Sequence, residues 1–185
     1  MRVSREKAAE NRQRIVEAAA RLFRDDGFDG VGVDAIMREA DLTHGGFYGH
    51  FASKDALMDE AMAHALDRSM AWQTGLDSLS ELVSGYLSDR HRADRAKGCA
   101  VAALGGDVAR KSPALRRTVT AGVRQQIDRI VSLLKRGTPA ARRRRALATY
   151  SGMVGALTLA RAVDDPALAR EILAAARDAF SKDSA

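Results

Sequence analysis

The sixteen residues Leu42–Leu57, LTHGGFYGHFASKDAL, constrain the fold more than any other stretch of the chain. They read as a short helix that opens at Thr43, closes near Phe51 and passes through Ala52-Ser53 into a longer helix. Thr43 and Ser53 are natural N-caps, whose hydroxyls can satisfy backbone donors left without partners at a helix start. Between them stand Gly45, Gly46 and Gly49, each costing a helix on the order of 1 kcal/mol relative to alanine. A segment that keeps this penalty beside Phe47, Tyr48, His50 and Phe51 predicts a backbone brought close to something large. The major groove of DNA is one such surface.

The preceding residues supply the partner element. Val33, Ile36, Met37 and Ala40 follow helical spacing, and Asp41-Leu42 forms the turn before Thr43. A short helix, a tight turn and a second short helix make a helix-turn-helix. On these residues the chain resembles the TetR family of bacterial transcriptional regulators. The resemblance rests on Gly27, Ile36, Ala40, Gly46, Tyr48, His50, Phe51, Ser53, Lys54 and Leu57, with Thr43 in place of the usual serine. Gly32, Met37 and Asp41 depart from the family pattern. Gly32 offers no hydroxyl for a phosphate, Met37 enlarges the packing between the two helices, and Asp41 tolerates the left-handed turn conformation expected there.

The resemblance implies roles within this segment. Thr43, His44 and Gly45 form the first turn of a recognition helix and reach base edges or nearby phosphates. Tyr48 and His50 are placed for phosphate contacts, and Lys54 adds a positive charge at the next helix start. Phe47 and Phe51 point inward. His44 and His50 are not read as a metal pair, because their spacing puts them on different helix faces; no metal or cofactor is expected.

Bulk composition agrees with an all-helical chain of 185 residues, rich in Ala, Leu and Val and poor in aromatics. No apolar run approaches the roughly 18 residues needed to span a bilayer. The N-terminal stretch is charged rather than signal-like, and one cysteine excludes an internal disulfide framework. A cytoplasmic protein without membrane contact is expected. The net charge of +6 is unevenly placed. Residues 1–60 hold nine Lys/Arg against twelve Asp/Glu, so the basic excess lies beyond them. The case for DNA therefore rests on the motif and on the local cluster Arg2, Arg5, Lys7, Arg12 and Arg14, not on overall charge.

Apolar periodicity gives the remaining helices. Ile15, Ala18, Ala19, Leu22 and Phe23 form one stripe of a first helix over about 6–26, with Gly27 as its stop. A long helix follows Ser53, another covers Leu76–Leu87, and a polar, basic linker fills about 89–97. Gly98–Leu104 reads as a short buried helix. Ser112-Pro113, Thr138-Pro139 and Asp165-Pro166 each pair a cap with proline at the first helical position, predicting helix starts at the prolines. The total is about nine helices: a helix-turn-helix domain over 1–52, then a ligand-binding and dimerisation domain over 53–185.

In the second domain the family likeness implies a homodimer and an unknown small-molecule effector. Ser151, Gly152, Gly155 and Ala156 allow close helix approach, and with Leu159 and Ile172 they are the expected dimer face, against packing within one subunit. Met62, Leu66, Trp72, Tyr86 and Leu104 are placed near the effector pocket. Cys99 follows Gly98 at a helix start with Arg95 and Lys97 upstream, a setting that favours thiolate and hence effector or redox sensing. The plainer reading, a small buried side chain, weighs more. The function implied is a DNA-binding regulator, a repressor released from a pseudo-palindromic operator by a small molecule or thiol modification. The alternatives are a helical interaction module with a degenerate helix-turn-helix, and an enzyme using Cys99 with a histidine. No motif supplies a base or oxyanion site for the second, and no enzyme is expected.

Overall fold

The computed structural model describes residues 5–182. Among them are ten helical segments and no strand. They are α1 (Arg5–Gly30), α2 (Val33–Glu39), a 3-10 segment (His44–Gly49), α3 (Lys54–Trp72), α4 (Leu79–Tyr86), α5 (Asp89–Ala93), α6 (Ala100–Val108), α7 (Pro113–Leu133), α8 (Pro139–Ala162) and α9 (Pro166–Phe180). Gly27 interrupts α1 with φ 77 and ψ 166, so the continuous part ends where the sequence expects it. Only glycine takes that left-handed conformation without steric cost.

Two elements differ from the sequence expectation. The stretch after Thr43 winds as a 3-10 turn rather than an α-helix. Three glycines in six residues lower α-propensity, and a segment this short can tighten into i→i+3 bonds. Within the expected linker 89–97 there is a short α5, started by the Ser88 hydroxyl, which accepts from His91 N–H at 3.1 Å. The three proline starts are where the sequence places them. Ser112, Thr138 and Asp165 accept from Leu115, Ala141 and Ala167 N–H at 3.3, 3.2 and 2.8 Å.

Two apolar clusters hold the molecule together. The first joins Ile15, Phe23, Phe28, Ile36, Phe47 and Phe51 of the head to Leu57, Met62 and Leu66 of α3, and runs on to Leu104 and Leu115. The second packs Leu82, Val83, Leu87, Ile130, Met153, Leu157 and Leu173 of the body. Helix α3 thus shares its buried face with the head, while α7 enters the first cluster at its start and the second at its end. No helix among the described residues is long and apolar enough to cross a membrane.

Candidate nucleic-acid interface

The 3-10 segment is a polar face on an aromatic foundation. Phe47 and Phe51 are buried and stack at 5.8 Å between ring centroids, and the Arg12 guanidinium lies 4.4 Å from the Phe51 ring. Tyr48 meets the edge of Phe47 yet is 70% exposed, so its hydroxyl projects away from the protein. Thr43, His44, Gly45 and Gly49 are exposed beside it, and His50 is half-buried. An added Cβ on Gly45 or Gly49 would meet nothing within 4 Å, whereas one on Gly46 would touch Met37 at 3.6 Å. Internal packing therefore explains neither outer glycine. Both leave bare backbone facing outward.

Hydrogen bonding refines the expected roles. Asp41 adopts φ 55, the left-handed turn expected of it. The Thr43 side chain makes no capping bond; its carbonyl accepts from Gly46 N–H at 3.0 Å instead. That corrects the expectation of a hydroxyl cap at Thr43. Ser53 does cap, accepting from Ala56 N–H at 3.1 Å. His44 is paired through Nδ1 with Asp34 in the first turn of α2. The Lys54 ammonium donates to the Phe28 carbonyl at 2.7 Å, just beyond the Gly27 break, and so helps fasten the end of α1 to α3. Of the N-terminal cations, Lys7 pairs with Glu10, Arg12 with Glu60 and Arg14 with Asp41. Arg2 lies outside the described residues.

The residues expected around an effector fall into two places. Met62 and Leu104 line a crevice of about 10 Å³ between α1, α3 and α6, with Leu66 in the same apolar cluster. That volume holds no more than a water molecule. Tyr86 and Cys99 belong to the other cluster, and Trp72 is 46% exposed with its ring against Gly85. The six therefore do not line one pocket. An open groove of about 500 Å³ lies instead between α3 and α7, beside Asp67, Met70, Gln125, Asp128 and Arg129.

Around Cys99 the structure assembles groups that sequence spacing did not link. The buried thiol lies near the hydroxyls of Tyr86 and Tyr150, and burial pushes both phenols above their ordinary pKa. The Tyr86 hydroxyl has no partner of ordinary hydrogen-bond geometry, nor does Nη1 of Arg161. Cys99 N–H donates to His91 Nε2 at 2.9 Å, while His91 Nδ1 lies 2.6 Å from the Tyr86 carbonyl. The only tautomer that serves both contacts is neutral with the proton on Nδ1, and burial lowers the His91 pKa accordingly. Both ring nitrogens are occupied, which leaves neither to act as a base toward the thiol.

Arg24 was also missed. It is buried on α1, with burial lowering its pKa to about 10, and its Nε donates to the Ala96 carbonyl at 2.6 Å. A cation inside an apolar helical stripe was the available signal. Nothing in the sequence named its acceptor 72 residues away.

On the expected dimer face, an added Cβ on Gly152 would meet the Phe180 ring at 2.1 Å. Ala156 is buried and Ile172 packs on the second cluster, so these three serve contacts inside the subunit. Ser151 and Gly155 face outward, and Leu159 is 58% exposed.

Residues 15–61, which frame this interface, match the family model for bacterial regulatory proteins of the tetR family. The transcriptional regulator TtgW of Pseudomonas putida, itself uncharacterised, is 30% identical over 93 residues, covering 49% of this chain and 69% of that protein. The chain belongs to the TetR family. The A-factor receptor protein of Streptomyces griseus is 35% identical to this TetR-family chain over 79 residues, 43% of the chain. The match spans only 28% of that receptor, and 21% of the regulator YerO of Bacillus subtilis. Likeness of fold extends further than likeness of sequence. A TetR-family regulator from Cytophaga hutchinsonii superposes with a TM-score of 0.77 at 21% identity, covering 97% of this chain and 96% of that one. One from Chloroflexus aurantiacus gives 0.73 at 26% identity, covering 96% and 97%.

Proposed function

We propose that this TetR-family chain is a homodimeric, sequence-specific DNA-binding regulator, acting as a repressor that a small molecule or a thiol modification releases. The observation that carries the reading is the outward face of the 3-10 segment. Gly45 and Gly49 bare the backbone without any internal need, beside a Tyr48 held out from a buried aromatic base. Bare backbone permits close approach to base edges, and a projecting phenol suits a phosphate oxygen. Thr43, His44 and His50 flank that approach. Lys54 keeps two donors beyond its bond to Phe28, so it can add charge near the same strand.

Dimerisation is assigned to the outward stripe Leu147, Ser151, Gly155 and Leu159 of α8, spaced four residues apart, with the exposed Leu168 of α9 as a further apolar contact. A two-fold pair through this face presents two 3-10 segments to the half-sites of a pseudo-palindrome. The effector-responsive interior is placed at Cys99, Tyr86 and Tyr150, where an orphaned hydroxyl gives an entering ligand something to bond. Arg24 conveys a change there to α1 through the Ala96 carbonyl. An effector that favours one interdomain arrangement shifts the population away from the DNA-competent one.

The test is fluorescence anisotropy with duplexes drawn from the DNA upstream of the chain's own gene. Tyr48→Ala is expected to weaken binding about tenfold with an unchanged melting temperature, as for one lost charge-assisted phosphate bond. No binding to any fragment at low salt would favour the interaction-module reading instead. Cys99→Ser separates the two release mechanisms, because only thiol modification requires the sulfur.

A further inference from the structure

The positive charge of this chain lies where the 3-10 segment is not. Between Val108 and Val163 there are thirteen Lys/Arg and one acidic residue, Asp128, whereas residues 1–60 are net acidic. On α7, Arg117 and Arg124 are seven residues apart and share one exposed face, with Asp128 one turn further along it. Asp128 already holds Arg143 of α8 at 3.4 Å. Beyond the end of α7 Arg136 is exposed, and so is Arg144, one residue past Arg143 near the start of α8. Among the described residues no ion pair or hydrogen bond engages the guanidinium groups of Arg117, Arg124, Arg136 or Arg144. Four arginines in the first two turns of α8, at 142, 143, 144 and 145, also oppose its helix dipole. Within the subunit Asp128 offsets the charge of Arg143, and the Leu134 carbonyl accepts from Arg142.

We propose that this stripe is a second, sequence-independent site for duplex DNA, separate from the helix-turn-helix. From Arg117 to the end of α7 is roughly 25 Å at 1.5 Å per residue. That length parallels roughly seven phosphates of one strand. No large exposed hydrophobic residue stands on α7 or in the 134–138 loop; among the described residues those are Tyr48, Trp72, Leu147, Leu159 and Leu168. A protein partner would need such anchors at the centre of its contact, whereas a phosphate backbone needs only charge. Because α7 begins in the head-side cluster and ends in the body cluster, the stripe leads away from the head. A duplex held there is distinct from the one at the 3-10 segment, and one dimer can bridge two DNA segments.

The experiment uses the full chain and a fluorescent duplex of unrelated sequence. Wild type is compared with the quadruple variant Arg117→Ala/Arg124→Ala/Arg136→Ala/Arg144→Ala and with the matching Arg→Lys quadruple. The alanine quadruple is expected to bind the unrelated duplex at least about tenfold more weakly at low salt, and the lysine quadruple to stay near wild type. Four phosphate contacts predict about a hundredfold fall in wild-type affinity between about 50 and 200 mM salt, and a much shallower fall in the alanine quadruple. A second duplex should be captured on an immobilised first one by wild type and not by that variant. Equal binding by wild type and the alanine quadruple, with both folded, overturns the proposal. So does tighter binding to polyglutamate of matched charge, which would assign the stripe to an acidic protein. The anisotropy arm does not depend on operator recognition, so failure of that reading is seen separately.

Discussion

At the scale of single residues, Gly98 is hemmed in by backbone as well as by side chains. A Cβ there would lie 2.6 Å from Nη2 of Arg161 and 2.8 Å from the Asp94 carbonyl oxygen. The arginine tip can move, though it is tied to the carbonyls of His91 and Arg92 at 2.7 and 3.2 Å. The backbone oxygen is less able to yield. Gly98→Ala is therefore expected to destabilise the fold by about 1–3 kcal/mol, the ordinary cost of overpacking, as read from the denaturant midpoint. Gly45→Ala meets open space, so it is expected to leave the denaturant midpoint unchanged and, on the proposed function, to weaken DNA binding. Two glycines of the same chain thus answer to different demands, and only the atoms around them tell which. The sequence marks Gly45 as costly in a helix and gives no sign that Gly98 is hemmed in.

At the scale of elements, capping distinguishes two helix starts that look alike on paper. Ser53→Ala removes a real bond to Ala56 N–H and is expected to cost about 1 kcal/mol. Thr43→Ala removes none and should leave the melting temperature within experimental error. Most helix boundaries were legible because their signals are local: proline behind a cap at 113, 139 and 166, and glycine at 27. The 3-10 geometry and α5 were not, since a few tenths of a kcal/mol per residue decide them and tertiary contacts outweigh that. The candidate site divides in the same way. Its outward residues follow from the motif, whereas Tyr150, Arg24 and Arg161 come to the surroundings of Cys99 from distant parts of the chain, and only the fold turns His91 onto the Cys99 N–H.

The joint between α5 and α6 also carries a pH dependence. His91 has a lowered pKa when folded, chiefly from burial, and His64 on α3 shifts the same way for the same reason. Above the unfolded histidine value of about 6.5 both states are neutral and the fold loses nothing. As pH falls below that value the unfolded chain takes up protons that the folded one refuses, so stability declines until the folded pKa is reached. The melting temperature should fall between about pH 7 and 5.5, and less steeply in His91→Gln. An identical slope in the variant would remove His91 as the cause. Carboxylates held low by partners, such as Asp29 beside Lys111, add their own loss only in more acidic solution.

At the scale of the whole molecule, the outward leucines of α8 and α9 bear on assembly. Leu159 has no apolar partner sufficient to bury it within the subunit, and Leu159→Arg is expected to convert a dimer to monomers in light scattering while leaving helical content unchanged. Should the variant remain dimeric, the two-fold axis lies elsewhere. The head and body are also not separable by cutting at residue 52. One apolar cluster runs from Ile15 through Leu57 and Met62 to Leu104 and Leu115, so a truncated head would expose the face that α3 and α6 now cover.

The bond from Arg24 to the Ala96 carbonyl bears on how such a molecule can move. It works like a pivot pin: sliding the two halves apart would strand a cation in hydrocarbon, whereas swivelling about it keeps the acceptor in place. The permitted travel is thus a hinge-like arc with the pin as its fulcrum. In the proposed dimer, the distance between the two 3-10 segments would then be a matter of leverage, set by how far each sits from that fulcrum.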